Sequence, residues 1–438
     1  MIQQKIHPKM QYTYVGVDSH RDSHTFVFIN FLYEKLGELV TSSTPSDFPK
    51  FLKQAEKFLQ PNTTFAFGFE DVSQYGRTIV KFLMNQGHLV KHVNVNLVAS
   101  ERNSRNVLQK TDSIDAECCA RVLFNRFDEL PQASDDDRFF ILKTLVANRQ
   151  GLAKQRWRLK RQLHNLLFMH YPSYPSFFHD IDIKSSIAFY ESYPTPHTLD
   201  GVTVEYLTDF FSAIMTSGRA KKKATHILEM VNASGVVPNE YQSSVDFSIR
   251  MKVTQLKNII EENDKIEQEL VRFLDYFDYP LTSMKGIDII TACRLIAEIG
   301  DINRFKNPSA LARYAGISPV THESGNTSNQ YANRRGNRQL NTIFYNLALF
   351  VSTPMASSKM IINPFFHDYY LKKLGEGKTK KQALKSVQRR LVNIIYGIMK
   401  YKQDYINPPV RYIEETGEII EPSKNELTHQ AKLQSSLK

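Results

Sequence analysis

The strongest constraint on the fold of this chain lies at its start. Residues 12 to 19, YTYVGVDS, alternate β-branched and aromatic residues with small ones and run into an acid, and HTFVFIN follows after a short polar gap. Alternation with period two suits a half-buried strand, and two such runs this close predict a hairpin that opens a sheet. FAFGFE at 65 to 70 and LVKHVNV at 89 to 95 are two more strand-like runs; between them GRTIVKFLMNQG has the pattern of an amphipathic helix closed by Gly87. Strand, helix, strand predicts a mixed α/β layer.

At 438 residues the chain exceeds one ordinary core and is long enough for two or three domains. Hydrophobic residues at 42% and charged residues at 23% predict folded structure over most of the length, with disorder confined to the ends. Lys and Arg number 56 against 45 Asp and Glu, a formal charge of +11, which makes nucleic acid the leading partner class, with a charge that only keeps the protein soluble as the other reading. Cys118, Cys119 and Cys293 lie in helix-like apolar segments and offer neither a disulfide framework nor a zinc spacing, which fits a reducing cytoplasm. The N-terminus MIQQKIHPKMQ has no apolar core, and no stretch approaches the roughly 18 apolar residues of a membrane span. A soluble, unprocessed protein with no membrane partner is the expectation.

From about residue 137 the character changes. Leu145, Arg149, Leu152, Arg156, Leu159, Leu163 and Leu166 alternate spacings of three and four, and Leu256, Ile259, Asn263, Ile266, Leu270 and Phe273 repeat that spacing between about 249 and 275. The first helix is basic and the second acidic. Opposite charge favours pairing, as an antiparallel hairpin within the chain or between protomers, with Arg149, Arg156 and Asn263 fixing register; two core helices of an ordinary helical domain is the other reading. Between them YPSYPSFFHDIDIKSS and FYESYPTPHTLDG form an irregular insertion, followed by a basic helix around GRAKKKATHILEMV. Its aromatics Tyr171, Tyr174, Phe177 and Phe178 could stack on bases, although a small local core suits them better. After Pro280 come short helices in KGIDIITACRLIAEIG and NPSALARYAG, a polar loop, and two helices from about 338 and 379; the last 35 or so residues are polar.

Asp18 and Glu70 each stand at a strand end, and Asp112 and Asp115 share one face of a helix in QKTDSIDAECCARVL. Carboxylates so placed can hold two Mg²⁺ (or Mn²⁺) ions about 4 Å apart for attack on a phosphodiester. Taken singly, each has a bland alternative: a turn cap, an ion pair with lysine, or, for Asp112, a helix N-cap beside Thr111.

The order and context of all four resemble a known family. VGVDSHRDSH, FGFED and KTDSIDA are similar to the nuclease domain of the IS-one-ten insertion-sequence transposases and the related pilin-gene invertase, and KTDSIDA is the specific part of that match. Further on, MKGIDIITACRLIAEIGDINRFKNPSALARYAGISPVTHESGNTS and RRGNRQLNTIFYNLAL are similar to that family's C-terminal transposase domain, so that the matched segments cover about half of the chain. The resemblance implies an α/β ribonuclease-H/RuvC-like domain over 10–135 with Asp18, Glu70, Asp112 and Asp115 as its acidic tetrad. A helical coiled-coil region with an insertion over 136–278 and a mainly α transposase domain over 279–400 would follow, then a polar tail over 401–438.

The resemblance also implies that Ser324, in HESGNTS, is a nucleophile that forms a covalent phosphoserine. By its residues alone, a serine before Gly325 is ordinarily a turn residue, and Ser318 and Ser328 are its local rivals. A serine hydroxyl needs activation, and Arg334, Arg335 and Arg338 would stabilise the pentacovalent phosphate. Double-stranded DNA (element ends and target), a noncoding guide RNA and a homo-oligomeric state, dimer or tetramer, are the implied partners, in a prokaryotic cytoplasm at the nucleoid. Lys110 beside the tetrad and Arg156, Arg158, Lys160 and Arg161 in RWRLKRQ are candidate nucleic-acid contacts. Two other readings stand beside this one: a resolvase-like nuclease that uses the four carboxylates without a serine intermediate, and a non-catalytic nucleic-acid scaffold.

Overall fold

The computed structural model describes residues 8–70, 75–106, 109–133, 136–235, 240–324, 327–331, 333, 336–406, 411–412 and 419–420; the side chains of 217, of 320–331 and of those beyond 406 lie outside the description. The chain divides into two compact units, Met1–Phe140 and Ile141–Lys438.

In the first unit the expected hairpin forms. β1 (Tyr12–Ser19) pairs antiparallel with β2 (Ser23–Ile29), which pairs with β3 (Lys35–Ser42). β1 also pairs in parallel with β4 (Thr64–Phe69), and β4 with β5 (Leu89–His92), so the sheet order is β3-β2-β1-β4-β5. Helices cover both faces, which is why the central strands are apolar almost without a break. Val15, Val17, Phe26, Phe28 and Phe67 point to α1 (Phe48–Ala55) and α2 (Arg77–Asn85). Tyr14, Val27, Ile29 and Ala66 pack in the other cluster with α3 (Val95–Ser104) and α4 (Asp112–Asn125). Each fully buried Phe contributes about 1.5–3 kcal/mol by leaving water.

β3, α1 and α3 are absent from the sequence reading, and the strand expected over 89 to 95 ends at His92. It stops because the Asn94 side chain accepts from Asn96 N at 2.8 Å and starts a helix instead.

The close seat of α4 depends on small residues. A Cβ on Gly16 would lie 1.9 Å from Ala116 O and 2.2 Å from Ala120 N, and the Cys119 thiol donates to Gly68 O at 3.2 Å. Glycine, alanine and cysteine therefore let the helix backbone rest on β1 and β4.

The second unit is mainly helical. α5 (Asp137–His170) begins in the first unit and continues into the second. α6 (Lys184–Ser192), α7 (Val204–Ser212) and α8 (Ser217–Ser234) follow, so the stretch read as an irregular insertion is largely helical. Tyr171, Phe177, Phe189 and Phe211 are fully buried in one cluster with Leu163 and Leu167 of α5, and Tyr174 and Phe178 pack against it, which is the local-core reading. α9 (Gln242–Leu274) supplies Ile249, Val253 and Leu256 to the same cluster, while Arg149 pairs with Glu267 at 2.8 Å. Contacts of that order require α5 and α9 to run antiparallel. Asn263 Nδ2 donates to the same Glu267 Oε1 at 2.9 Å, so two of the three polar seam residues meet on one carboxylate. Arg156, the third, turns instead to Asp182.

α10 (Ile289–Ile299), α11 (Pro308–Tyr314), α12 (Arg338–Ser352), α13 (Pro364–Gly375) and α14 (Lys380–Tyr401) complete the unit. Where the sequence predicts a polar loop between α11 and α12, the structure has an antiparallel ribbon, β6 (Val320–Ser324) with β7 (Thr327–Tyr331). Apart from Val320 and Tyr331 at their paired ends, both strands are polar, so hydrophobic alternation carries no trace of them. The C-terminal tail lies largely outside the described residues.

Candidate active site

Parallel pairing of β1 with β4 sets Val17 opposite Phe69, which brings the next residues, Asp18 and Glu70, to the same end of the sheet. α4 crosses above that end. Its N-cap is Thr111, whose hydroxyl accepts from Ile114 N at 3.3 Å, so Asp112 is free of that duty and stands with Asp115 in the first turn. Acids there are favoured by the helix dipole. The tetrad thus converges from two strands and one helix.

Its electrostatics are those of like charges gathered at the edge of the core, with Asp115 buried, Asp18 and Glu70 partly buried and Asp112 exposed. Burial raises the Asp18 carboxyl above its ordinary range, and Asp112 and Asp115 push it further while His20 opposes them. Burial likewise raises Glu70, helped by Asp18 and Asp115 and opposed by Lys110 and Arg102. The mutual effects show that all four acids share one field.

Two partners escaped the sequence reading. His20 Nε2 lies 3.3 Å from Asp18 Oδ2 and 3.2 Å from Asp112 Oδ1, so the imidazole bridges them. Burial alone would lower this imidazole, yet the two carboxylates outweigh it and raise it. Its signal was present: His20 is two residues from Asp18, on the same side of an extended chain. Arg102 of α3 contacts the Asp115 carboxylate, of which only 9% of the side chain is exposed. That contact spans two helices and leaves no local pattern.

The donor set fits a hard divalent cation. Asp18, His20 and Asp112 offer ligand atoms all within 4.8 Å of one another, and Asp115 and Glu70 add carboxylates beside them. A set made mainly of carboxylate oxygens with excess negative charge suits a divalent cation.

The other expected residues fall elsewhere. Lys110 is exposed, just before the Thr111 cap, and its charge reaches Glu70. Ser324 is the last residue of β6, in register with Thr327; the side chains of Ser324 and Ser328 lie outside the description, as do Arg334 and Arg335. Arg338 is exposed at the start of α12, and Ser318 is half-buried ahead of β6. On α5, Arg156 and Lys160 are held by Asp182 at 2.8 and 3.0 Å, and Lys160 also by Asp180 at 2.6 Å. Arg158 is exposed, and the Arg161 guanidinium lies 4.9 Å above the exposed Trp157 ring. Among the described residues no helix is long and apolar enough to cross a membrane.

Comparison with known proteins agrees with this geometry. A family model described as a transposase, of the IS110 DEDD type, matches residues 15–172, and the model described as Transposase IS116/IS110/IS902 family matches residues 278–369. The chain is 28% identical over 68% of its length to the insertion element IS116 44.8 kDa protein of Streptomyces clavuligerus, covering 73% of that protein. It is 24% identical over 89% of its length to the insertion element IS900 42 kDa protein of Mycobacterium paratuberculosis, covering 96% of it. The pilin gene-inverting protein of Moraxella lacunata is 28% identical over 30% of this chain and 39% of its own length. The first model takes in the whole acidic cluster and the second the β6–β7 ribbon with most of the helices around it, so both halves point the same way: this chain is a DNA transposase and belongs to the IS116/IS110/IS902 family.

Proposed function

We propose that this transposase is a cut-and-join recombinase that combines the acidic site with Ser324 as nucleophile. The observation that carries the reading is the convergence of Asp18, Glu70, Asp112 and Asp115 at one sheet end, with two of the four carboxyls raised by burial and mutual repulsion. Such a cluster is completed by divalent cations, Mg²⁺ or Mn²⁺ held by these four residues. When bound, the ions would polarise the scissile phosphate and offset charge on the attacking and leaving oxygens.

The protein's own groups do the rest. His20 and Arg102 hold Asp18, Asp112 and Asp115 in place, and Lys110 faces the incoming backbone. Ser324 Oγ attacks phosphorus; the bond to the leaving deoxyribose oxygen breaks, that oxygen takes up a proton, and the serine is left as a phosphodiester. In the second step the hydroxyl end of the partner strand attacks the same phosphorus and expels Ser324 Oγ, which recovers its proton as the DNA is resealed. Arg334, Arg335 and Arg338 would offset the charge of each pentacovalent state. The name of the Moraxella relatives, which invert a pilin gene, fits a reaction that both cuts and rejoins.

A noncoding guide RNA bound by basic stretches such as RWRLKRQ, and a tetramer assembled as two dimers through the α5 and α9 arms, belong to the same proposal, set at nucleoid DNA in a prokaryotic cytoplasm. Ser324→Ala is the deciding variant: loss of both the covalent protein–DNA species and strand exchange is expected. Retained cleavage and joining would assign the chemistry to the carboxylates alone, and strand exchange that survives Asp18→Asn and Asp115→Asn would leave only a scaffold. Sequencing the RNA that co-purifies with the protein tests the guide.

A further inference from the structure

Lys381, Lys385 and Arg389 follow one another at a spacing of four on α14, which puts three cations on one helix face about 6 Å apart. With Lys373 of α13 and Lys378 they line a cavity of about 760 Å³ whose other wall is Ile317, Ser318 and Pro319, the turn that leads directly into β6.

The cavity gathers positive charge without balancing it. Glu376 takes up Lys373 at 2.7 Å and Lys378 at 3.4 Å, whereas among the described residues Lys381, Lys385 and Arg389 have no carboxylate partner. Lys385 Nζ donates to Gly316 O at 3.3 Å, and Arg389 donates to Pro308 O at 3.2 Å and to Ser309 Oγ at 2.8 Å. These bonds pin the two long side chains against the 308–316 segment. Burial, and for Lys385 also the neighbouring Lys381, holds both below their ordinary ranges. Cations withdrawn from water without a counter-charge are costly in a free protein and favourable once an anion arrives. Gln382 and Ser386, on the same wall, add neutral hydrogen-bonding groups.

We propose that this cavity is a phosphodiester seat, in which Lys381, Lys385 and Arg389 hold backbone phosphates of the DNA strand handled by the β6–β7 ribbon. Assigning the anion to DNA rests on the reading of Ser324 as nucleophile, because the cavity wall at Ser318 and Pro319 is continuous with the strand that ends in Ser324. The seat reads no sequence; it fixes where the backbone lies.

The test measures binding of full-length protein carrying Ser324→Ala, so that no strand is cut, to a labelled random-sequence DNA duplex over a range of salt. Each phosphate contact removed lowers the slope of log affinity against log salt by about 1. Lys381→Gln with Lys385→Gln is expected to lower it by about 2, with binding weakened by the same factor on every sequence. Lys381→Gln alone, at an exposed position, is expected to lower it by about 1 and carries the test if the double variant fails to fold. A wild-type slope in folded variants overturns the proposal. A single-stranded RNA of the same length is the second arm, and a slope that falls on RNA but not on DNA overturns the assignment to DNA. The two readings fail separately: an unchanged slope with strand exchange lost in Ser324→Ala removes the seat and keeps the serine, and a lowered slope with strand exchange retained keeps the seat and removes the serine.

Discussion

The acidic cluster of the first unit and the basic cavity of the second are mirror images in charge. One gathers Asp18, Glu70, Asp112 and Asp115, and the other Lys381, Lys385 and Arg389; burial disfavours the charged forms of Asp18, Glu70, Lys385 and Arg389, and like neighbours add to the penalty at the first three of these. They differ in how the free protein copes. The acidic site has internal stand-ins, His20 across Asp18 and Asp112 and Arg102 on Asp115, while Lys385 and Arg389 lean on two carbonyls and a hydroxyl and Lys381 is left to solvent. A small counter-ion can be mimicked by a side chain, but an extended strand of phosphates cannot.

The largest expected effect separates chemistry from holding. Asp18→Asn should reduce Mg²⁺-dependent strand cleavage by about 10³-fold or more, since losing metal-mediated charge stabilisation removes several kcal/mol from the transition state, while DNA affinity measured in chelator stays within about twofold. Equal loss in both assays would erase the distinction between the two regions. Next comes the metal itself. Mg²⁺ at about 100 times its dissociation constant should stabilise the first unit by about 2.7 kcal/mol, read as a rise in its melting temperature, and Asp18→Asn with Asp112→Asn should abolish that rise.

Gly16→Ala probes the scaffold under the acids. A methyl group facing Ala116 O at 1.9 Å must lift α4, so denaturant unfolding should show a loss of about 1–3 kcal/mol, and cleavage should fall although no carboxylate has changed. A smaller change of opposite sign is expected when one member of either cluster is neutralised. Glu70→Gln in metal-free protein, and Lys385→Met in DNA-free protein, should each raise stability at neutral pH by about 0.5–1 kcal/mol while lowering function. The sign follows from the shifts: the fold disfavours the Glu70 carboxylate and the Lys385 ammonium relative to the unfolded chain, so removing either charge removes a penalty. Destabilisation in both would mean that these charges are satisfied internally and that neither region awaits a ligand.

The acidic site was more legible in the sequence than the basic one because its geometry is local twice over. Strand ends announce themselves through alternation, and a spacing of three on a helix fixes a shared face, so four residues far apart in the chain could be drawn together on paper. His20 obeyed the same rule of two and was passed over, because a histidine between Ser19 and Arg21 carries no apolar marker. Arg102 could not be found by any local rule, since it meets Asp115 only through the packing of α3 on α4. β3 was missed because as an edge strand it buries only Thr41 fully, and the β6–β7 ribbon because neither of its strands alternates. The stripe of Lys381, Lys385 and Arg389 is visible in KKQALKSVQRR, but many basic helix faces look the same. What sets this one apart is the wall opposite, which comes from 60 or more residues earlier in the chain.

The single carboxylate shared by Arg149 and Asn263 reaches beyond the packing it secures. α9 has 33 residues and so measures about 50 Å, with the aromatic cluster along one half and Leu270 O receiving the Cys293 thiol near the other end. Sliding α5 along it by one heptad would shift the pair by about 10 Å and strand Glu267 without its arginine. The shared carboxylate and the aromatic cluster, at opposite halves of α9, therefore select the same alignment of the two helices, and a slipped alignment would break both at once.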